Sequence, residues 1–178
     1  MKAVISNFST IKTHILGKTL PAFFLFAIFF SCTTIKRYEN PNKSDYSATE
    51  KIRISITKTS NKLNGTKYKY GGTSPKTGFD CSGFTKYVFA KNGYNLPRTS
   101  EKQAKIGKRI KVKNTKPGDL IFFKKHGRIN HVGIVIKNNG NSLIIIHSTT
   151  SKGVKKDDVL NSKYWKKRIT FAKDIITR

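Results

Sequence analysis

Cys81, His131 and His147 are the residues of this sequence whose types and order best suit covalent chemistry. Cys81 lies in Gly78-Phe-Asp-Cys-Ser-Gly-Phe84, just after a glycine-rich turn and at the opening of a helix-like segment. A helix start stabilises negative charge, so a thiol placed there is expected to favour thiolate. A thiol nucleophile also needs a base within hydrogen-bond reach and a third polar group that holds the base. His131 begins the apolar run His131-Val-Gly-Ile-Val-Ile136, and His147 ends Leu143-Ile-Ile-Ile-His147. Both runs read as strands, and Asn138-Asn-Gly-Asn141 between them is a hairpin signal. With the turn centred on Asn139, positions 131 and 147 are eight residues to either side and face each other across the ladder.

Each residue also has a plainer reading. A cysteine with apolar neighbours fits a buried core position, and a strand histidine fits a structural role. Cys81, His131 and His147 are also zinc-type ligands. No close Cys-x-x-Cys or His-x-x-x-His pair supports a metal, so no metal or cofactor is expected. His126 sits in a Lys/Gly loop expected to be exposed, which leaves His131 as the better base.

The surrounding pattern predicts the elements that must hold these residues. Ser47-Ala-Thr-Glu50 matches a capping box and opens a helix carrying Ile52, Ile54, Ile56 and Leu63, although the alternating isoleucines also fit a strand. Asn64-Gly65 ends it. Asp80 is a suitable N-cap for a helix over about 81–91, with Phe84, Tyr87 and Val88 on one face. Ser100-x-x-Gln103 reads as a second capping box, for a short helix ending near Gly107. Strands are expected over Arg109–Val112, Asp119–Phe123, His131–Ile136, Leu143–His147 and Ile169–Ile175. Helices followed by an antiparallel sheet define an α+β class.

The formal charge is +27, from 36 Lys+Arg against 9 Asp+Glu in 178 residues. Such a balance suggests an anionic polymer or surface as neighbour. The lysines are scattered rather than clustered, which favours a solvated surface over a dedicated patch. Residues 1–31 read as an export signal, with Lys2, Lys12 and Lys18 ahead of the apolar run Leu20–Phe30. That run is too short to span a membrane, which takes about 20 apolar residues. Ser31-Cys32 follows it and resembles a bacterial lipoprotein signal, with Cys32 as the lipidated residue, although Phe29 and Phe30 depart from the usual pattern. Residues 32–46 read as a flexible tether and 47–178 as one domain. An acylated Cys32 cannot pair with Cys81, so Cys81 stays a free thiol. Export and the lack of interleaved basic and aromatic stripes argue against nucleic acid as a partner.

The segments Tyr68-Lys-Tyr-Gly-Gly, Phe79-Asp-Cys-Ser-Gly-Phe, Leu96-Pro-Arg-Thr-Ser with Gln103, Pro117-Gly-Asp-Leu-Ile-Phe-Phe and His131-Val-Gly-Ile-Val-Ile together resemble the NlpC-type cell-wall peptidase family, over about residues 48–175. The resemblance implies a papain-like α+β domain, with N-terminal helices packed on a central antiparallel sheet. It implies hydrolysis of peptidoglycan peptide stems, typically at the bond between D-glutamate and the diamino acid, through a thioester. Cys81 is then the nucleophile, His131 the general base and acid, and His147 the orienting residue. Tyr68, Asp80, Ser82 and Arg98 match positions that flank the nucleophile or contact substrate, Arg98 being structural or substrate-facing rather than catalytic. A monomer in the cell envelope, anchored through lipid, is expected. A non-catalytic wall-binding lipoprotein, or another thiol amidase or acyltransferase on the same scaffold, are the competing readings.

Overall fold

The computed structural model describes residues 47–177. The expected signal over 1–31, the lipidated Cys32 and the tether over 32–46 lie outside the described residues.

Ser47 opens helix α1 (Ala48–Lys62) with the reciprocal cap that its spacing to Glu50 predicts: the hydroxyl accepts from the Glu50 N–H at 3.2 Å, and the Glu50 carboxylate accepts from the Ser47 N–H at 2.9 Å. Ile56 is buried and Ile54 exposed, so the isoleucines obey the helical period and not the strand period they also resemble. Arg53 on the inner face donates to Asp119 at 2.7 Å and to Asp174 at 2.9 Å, tying α1 to the sheet.

A two-residue hairpin, β1 (Thr73–Ser74) with β2 (Gly78–Phe79), leads into α2 (Cys81–Ala90). Asp80 caps α2 by accepting from the Gly83 N–H at 2.7 Å. Phe84, Val88 and Phe89 line its buried face. Gly83 is needed for packing: a Cβ there would overlap the Gly72 carbonyl oxygen, so the start of α2 lies directly on the loop that precedes it. Helix α3 (Ser100–Gln103) corrects the second expected capping box. Thr99, not Ser100, is the cap and accepts from Lys102 N–H. Gln103 turns inward, donating to the Ser82 and Pro97 carbonyls and accepting from the Thr85 hydroxyl, so it serves the core instead of the cap.

The chain then forms β3 (Lys108–Ile110), a 3₁₀ turn (Val112–Asn114), β4 (Leu120–Lys125), β5 (Arg128–Asn138), β6 (Leu143–Thr149), β7 (Gly153–Asp158), the short helix α4 (Lys163–Lys166) and β8 (Ile169–Asp174). Six strands make one antiparallel sheet in the order β3-β8-β4-β5-β6-β7. One face packs on the helices through Phe84, Phe89, Leu120, Phe122, Ile134 and Ile146. The other buries Ile121, Phe123, Val135, Leu143 and Ile145 beneath Leu160 and Trp165. Truncating one of these buried phenylalanines to alanine costs about 3–5 kcal/mol. Both faces of β4–β6 are therefore dry, which explains their unbroken apolar runs.

Strand β5 is longer than its apolar run. It starts at Arg128, so His131 lies inside the strand and not at its beginning, and His147 is followed by two more strand residues. The register also differs from a turn centred on Asn139. Ile134 faces Ile146, and the pairing slips between Val135 and Lys137. This sets His131 and His147 diagonally rather than directly opposite. The displacement is two residues, so both rings still emerge on one face of the sheet.

Candidate active site

A cleft of about 580 Å³ opens where the start of α2 meets β5 and β6, lined by Tyr68, Cys81, His131, Asp157 and Trp165 among others. A larger groove of about 850 Å³ lies along α1 beside Arg53, Asp119 and Asp174, and it has neither cysteine nor histidine in its lining. Of the two, the smaller one brings the candidate cysteine and histidine together.

Cys81 is half-buried at the first turn of α2. Its Sγ lies 3.9 Å from the Asn130 carbonyl oxygen, which packs it against the stretch of β5 that carries His131. The expected thiolate is not the resting form. Burial, and after it the Asp80 carboxylate, push the thiol up to about 11, although the N–H groups of Val132, Ser82 and Cys81 favour the anion. The helix start does stabilise charge, but desolvation and a neighbouring carboxylate outweigh it.

His131 Nε2 lies 2.8 Å from His147 Nδ1. His147 is wholly buried, and its Nε2 lies 2.9 Å from Asp157 Oδ2. Trp165 stacks on the His131 ring at 4.8 Å and 25°, and its indole N–H donates to the same Asp157 oxygen at 3.2 Å. Gly133 makes the diagonal meeting of the rings possible, because a Cβ there would stand 2.7 Å from Ile145 Cδ1 and 3.1 Å from His147 Cβ. Burial lowers the pKa of both histidines. His147 lowers His131 further, and Asp157 opposes the shift in each. Both shifts run toward the neutral form, the thiol on Cys81 and the imidazole on His131.

The structure brings together Tyr68, Cys81, His131 and His147. Tyr68 is half-buried on the cleft wall, and its hydroxyl stays protonated because burial, then Cys81 and Asp80, raise it. Asp80, Ser82 and Arg98 do not line the cleft. They form a cluster of their own. Arg98 donates to Asp80 at 2.6 and 3.1 Å and to Ser82 Oγ at 3.1 Å, while Ser82 donates to the same carboxylate at 3.2 Å. Asp80 also accepts from the Gly71 N–H at 3.0 Å, joining the cap of α2 to the loop after Tyr68. Burial raises the Asp80 carboxyl, but the Arg98 hydrogen bonds and the Gly83 N–H outweigh it and hold it below its usual value. Asp80 and Ser82 are both buried and already partnered, and the Asp80 carboxylate orders the backbone at Gly71 and Gly83. His126 is exposed at the tip between β4 and β5 with φ 50, away from the cleft lining.

Asp157, Trp165 and Gly133 are the site residues that the sequence pattern did not flag. Asp157 lies in Gly153-Val-Lys-Lys-Asp-Asp158, whose polar run lacks strand alternation. Trp165 lies on a four-residue helix.

A central antiparallel sheet faced by helices, with a half-buried cysteine at a helix start beside a strand histidine, defines a papain-like α+β domain. The family model described as NlpC/P60 family matches residues 65–174, more than half of the chain. The chain belongs to the NlpC/P60 family. It is 45% identical over 107 residues to the gamma-DL-glutamyl hydrolase of Bacillus subtilis (strain 168), covering 58% of this chain and 25% of that one. It is 39% identical over 115 residues to the murein DD-endopeptidase MepS/murein LD-carboxypeptidase of Escherichia coli (strain K12), covering 64% and 58%. A Staphylococcus aureus (subsp. aureus Mu50) crystal structure, described as similar to lipoprotein, NLP/P60 family, superposes with a TM-score of 0.63 at 30% identity, covering 77% of this chain and 45% of that one. The chain thus spans a quarter of the first relative's length and somewhat over half of the second's.

Proposed function

We propose that this protein is a cysteine endopeptidase that hydrolyses amide bonds in peptidoglycan peptide stems. The observation that carries this reading is the shared cleft: a half-buried thiol against the residue next to His131, and a ring pair whose second member is backed by a carboxylate. The family and the hydrolase names of both curated relatives support the same chemistry.

In the first half-reaction the Cys81 sulfur attacks the amide carbon while the thiol proton passes to His131. The carbonyl becomes an oxyanion, and the N–H of Cys81 at the helix start serves as one donor to it, a contribution of about 3 kcal/mol per donor in comparable enzymes. His131 then gives its proton to the leaving amine, and the C–N bond breaks to leave a thioester. Water attacks the thioester as His131 takes its proton, and the proton returns to the departing sulfur. The products are a new carboxylate and a new amine. Because burial and the Asp80 carboxylate push the thiol up to about 11, the proposed step has His131 removing the proton during attack rather than beforehand.

The substrate is read as anionic. Lys125, Lys155 and Arg168 line the cleft, and Asp157 is its one lining carboxylate. A γ-glutamyl bond, as in the name of the Bacillus relative, places a free carboxylate beside the scissile amide and suits that wall. Acylation of Cys32 would hold a monomer at the envelope membrane, with the tether and a net charge of +24 (33 Lys+Arg less 9 Asp+Glu once residues 1–31 are removed) keeping it near the anionic wall.

Digestion of purified muropeptides by wild type and Cys81→Ser, with products identified by mass, tests the activity. Wild type is expected to release a stem fragment that Cys81→Ser does not. No product from either supports the adaptor reading, and a product that ends elsewhere reassigns the bond. Cys32→Ala should move the protein from the membrane fraction to the soluble one, and retention on the membrane would remove the anchor.

A further inference from the structure

Asp157 stands two imidazoles away from the base, at the end of a chain of hydrogen bonds whose direction it determines. Its Oδ2 receives His147 Nε2 at 2.9 Å and the Trp165 indole N–H at 3.2 Å, and its Oδ1 receives the Lys155 ammonium at 2.6 Å. A carboxylate only accepts hydrogen bonds, so His147 must carry its proton on Nε2. Neutral His147 then has a lone pair on Nδ1, and that atom lies 2.8 Å from His131 Nε2. His131 must therefore donate from Nε2, which leaves the lone pair on His131 Nδ1. A neutral imidazole has one proton and one lone pair, so fixing one end fixes the other.

We propose that Asp157 is a positioning residue that sets the tautomer of both histidines, makes His131 Nδ1 the basic atom, and through His147 favours the imidazolium that forms during attack. The inference rests on the catalytic reading of Cys81, His131 and His147. Trp165 strengthens it by acting on both ends, stacking on His131 while donating to Asp157. The opposite polarity needs a proton on His147 Nδ1. His131 Nε2 would then have to accept, its Nδ1 would carry hydrogen, and no lone pair would remain for the thiol proton.

The charged groups around the chain are few. His131 faces His147 on β6 and, beyond it, Asp157 on β7, and it shares the cleft with Cys81 of α2, whose Sγ packs on the neighbouring Asn130 carbonyl. His147 faces Asp157 and Lys155. Tyr68, Lys125 and Arg168 line the same cleft. Burial raises the Asp157 carboxyl, but the hydrogen bonds from His147 and Lys155 outweigh it and hold it at about 2, so it remains an anion throughout the working range.

The test uses the full-length chain and purified muropeptides, with Asp157→Asn and Asp157→Glu beside wild type. The amide keeps size but can donate as well as accept, so it no longer dictates direction. In a Ser-His-Asp triad the same exchange lowers kcat about 10⁴-fold through the wrong tautomer. With a second imidazole interposed, a fall of about 10²–10³ in kcat is expected, with KM within about threefold and at least tenfold recovery in Asp157→Glu. The acid limb of kcat/KM should move to lower pH in Asp157→Asn, because the imidazolium has lost its carboxylate. Mere loosening would admit water and move that limb upward instead, towards the ordinary histidine value. ¹⁵N spectra of the histidines read the tautomers directly, without activity. Both rings should carry their proton on Nε2 in wild type, and Asp157→Asn should lose that uniformity. The proposal is overturned if Asp157→Asn keeps kcat within about threefold, if its acid limb rises, or if its tautomers match wild type. Full activity in Cys81→Ser would instead remove the underlying catalytic reading, while the spectra still judged Asp157.

Discussion

Asp80 and Asp157 are the two carboxylates nearest the chemistry, and they act in opposite senses. Asp80 adjoins the nucleophile, is buried, and is held by Arg98, Ser82 and two backbone N–H groups. It orders the start of α2 and the loop after Tyr68, yet its charge disfavours a thiolate on Cys81. Asp157 is farther away, at the sheet edge, and its charge favours a proton on His131. On the proposed mechanism, one side of the cleft supplies geometry at an electrostatic cost, and the other favours proton removal. The fold thus does not store a ready thiolate. It stores a proposed base, His131, whose proton affinity depends on the groups behind it.

The largest test of that contrast removes the link between base and carboxylate. His147→Ala should lower kcat/KM by at least about 10²-fold while the circular dichroism spectrum stays native. Full activity would erase the difference between the two sides. The next effect concerns the thiol itself. In Cys32→Ser protein, iodoacetamide labelling of Cys81 at pH 8 should run about 10²-fold slower than a model thiol, and should rise with pH until about 11. A plateau below pH 7 would mean that the thiolate is preformed after all. Arg98→Met then isolates the Asp80 side. A buried pair losing one partner costs about 3–5 kcal/mol. Arg98 is more than a third exposed, so about 2 kcal/mol is expected in chemical denaturation, with kcat within about tenfold. The smallest effect is in acid. His131 and His147 have folded-state pKa values below the usual 6.5, so the unfolded chain binds protons first as pH falls through that value. Stability contributed by the neutral rings is full above about pH 7 and should decline by about 1 kcal/mol for each ring over the first pH unit below 6.5. A flat urea midpoint from pH 7.5 to 5.5 would contradict buried neutral rings.

The Asp80 side was almost wholly legible in the sequence. A cap residue, a helix period and the glycine of Cys81-Ser-Gly83 are local signals, and α2 runs over Cys81–Ala90 as the pattern predicts. Local chemistry hid other points. Thr99 displaced Ser100 as a cap because Gln103, the expected return partner, is drawn into the core by Thr85 and two carbonyls. The histidine side was half legible. Apolar runs located β5 and β6, but the slip between Val135 and Lys137 leaves no trace in an unbroken apolar segment. His131 and His147 stayed on one face only because the displacement was even. Asp157 was invisible because β7 owes its strand state to pairing with β6, a tertiary cause, and not to its own Lys-Lys-Asp-Asp composition.

Strand β7 is, with β3, one of the two edge strands of the sheet. Its first residues are clamped on the outer side by the loop at 65–66, where Val154 exchanges hydrogen bonds with Gly65 and Thr66 at 2.8 Å. From Lys155 onward it pairs with β6 alone among the described residues. Edge segments open locally well before the whole domain does. The carboxylate behind the proposed base therefore sits on an edge segment of the sheet. On the proposed function, turnover should fade on warming while calorimetry still registers a folded domain, which would make the useful temperature range a property of a single strand end.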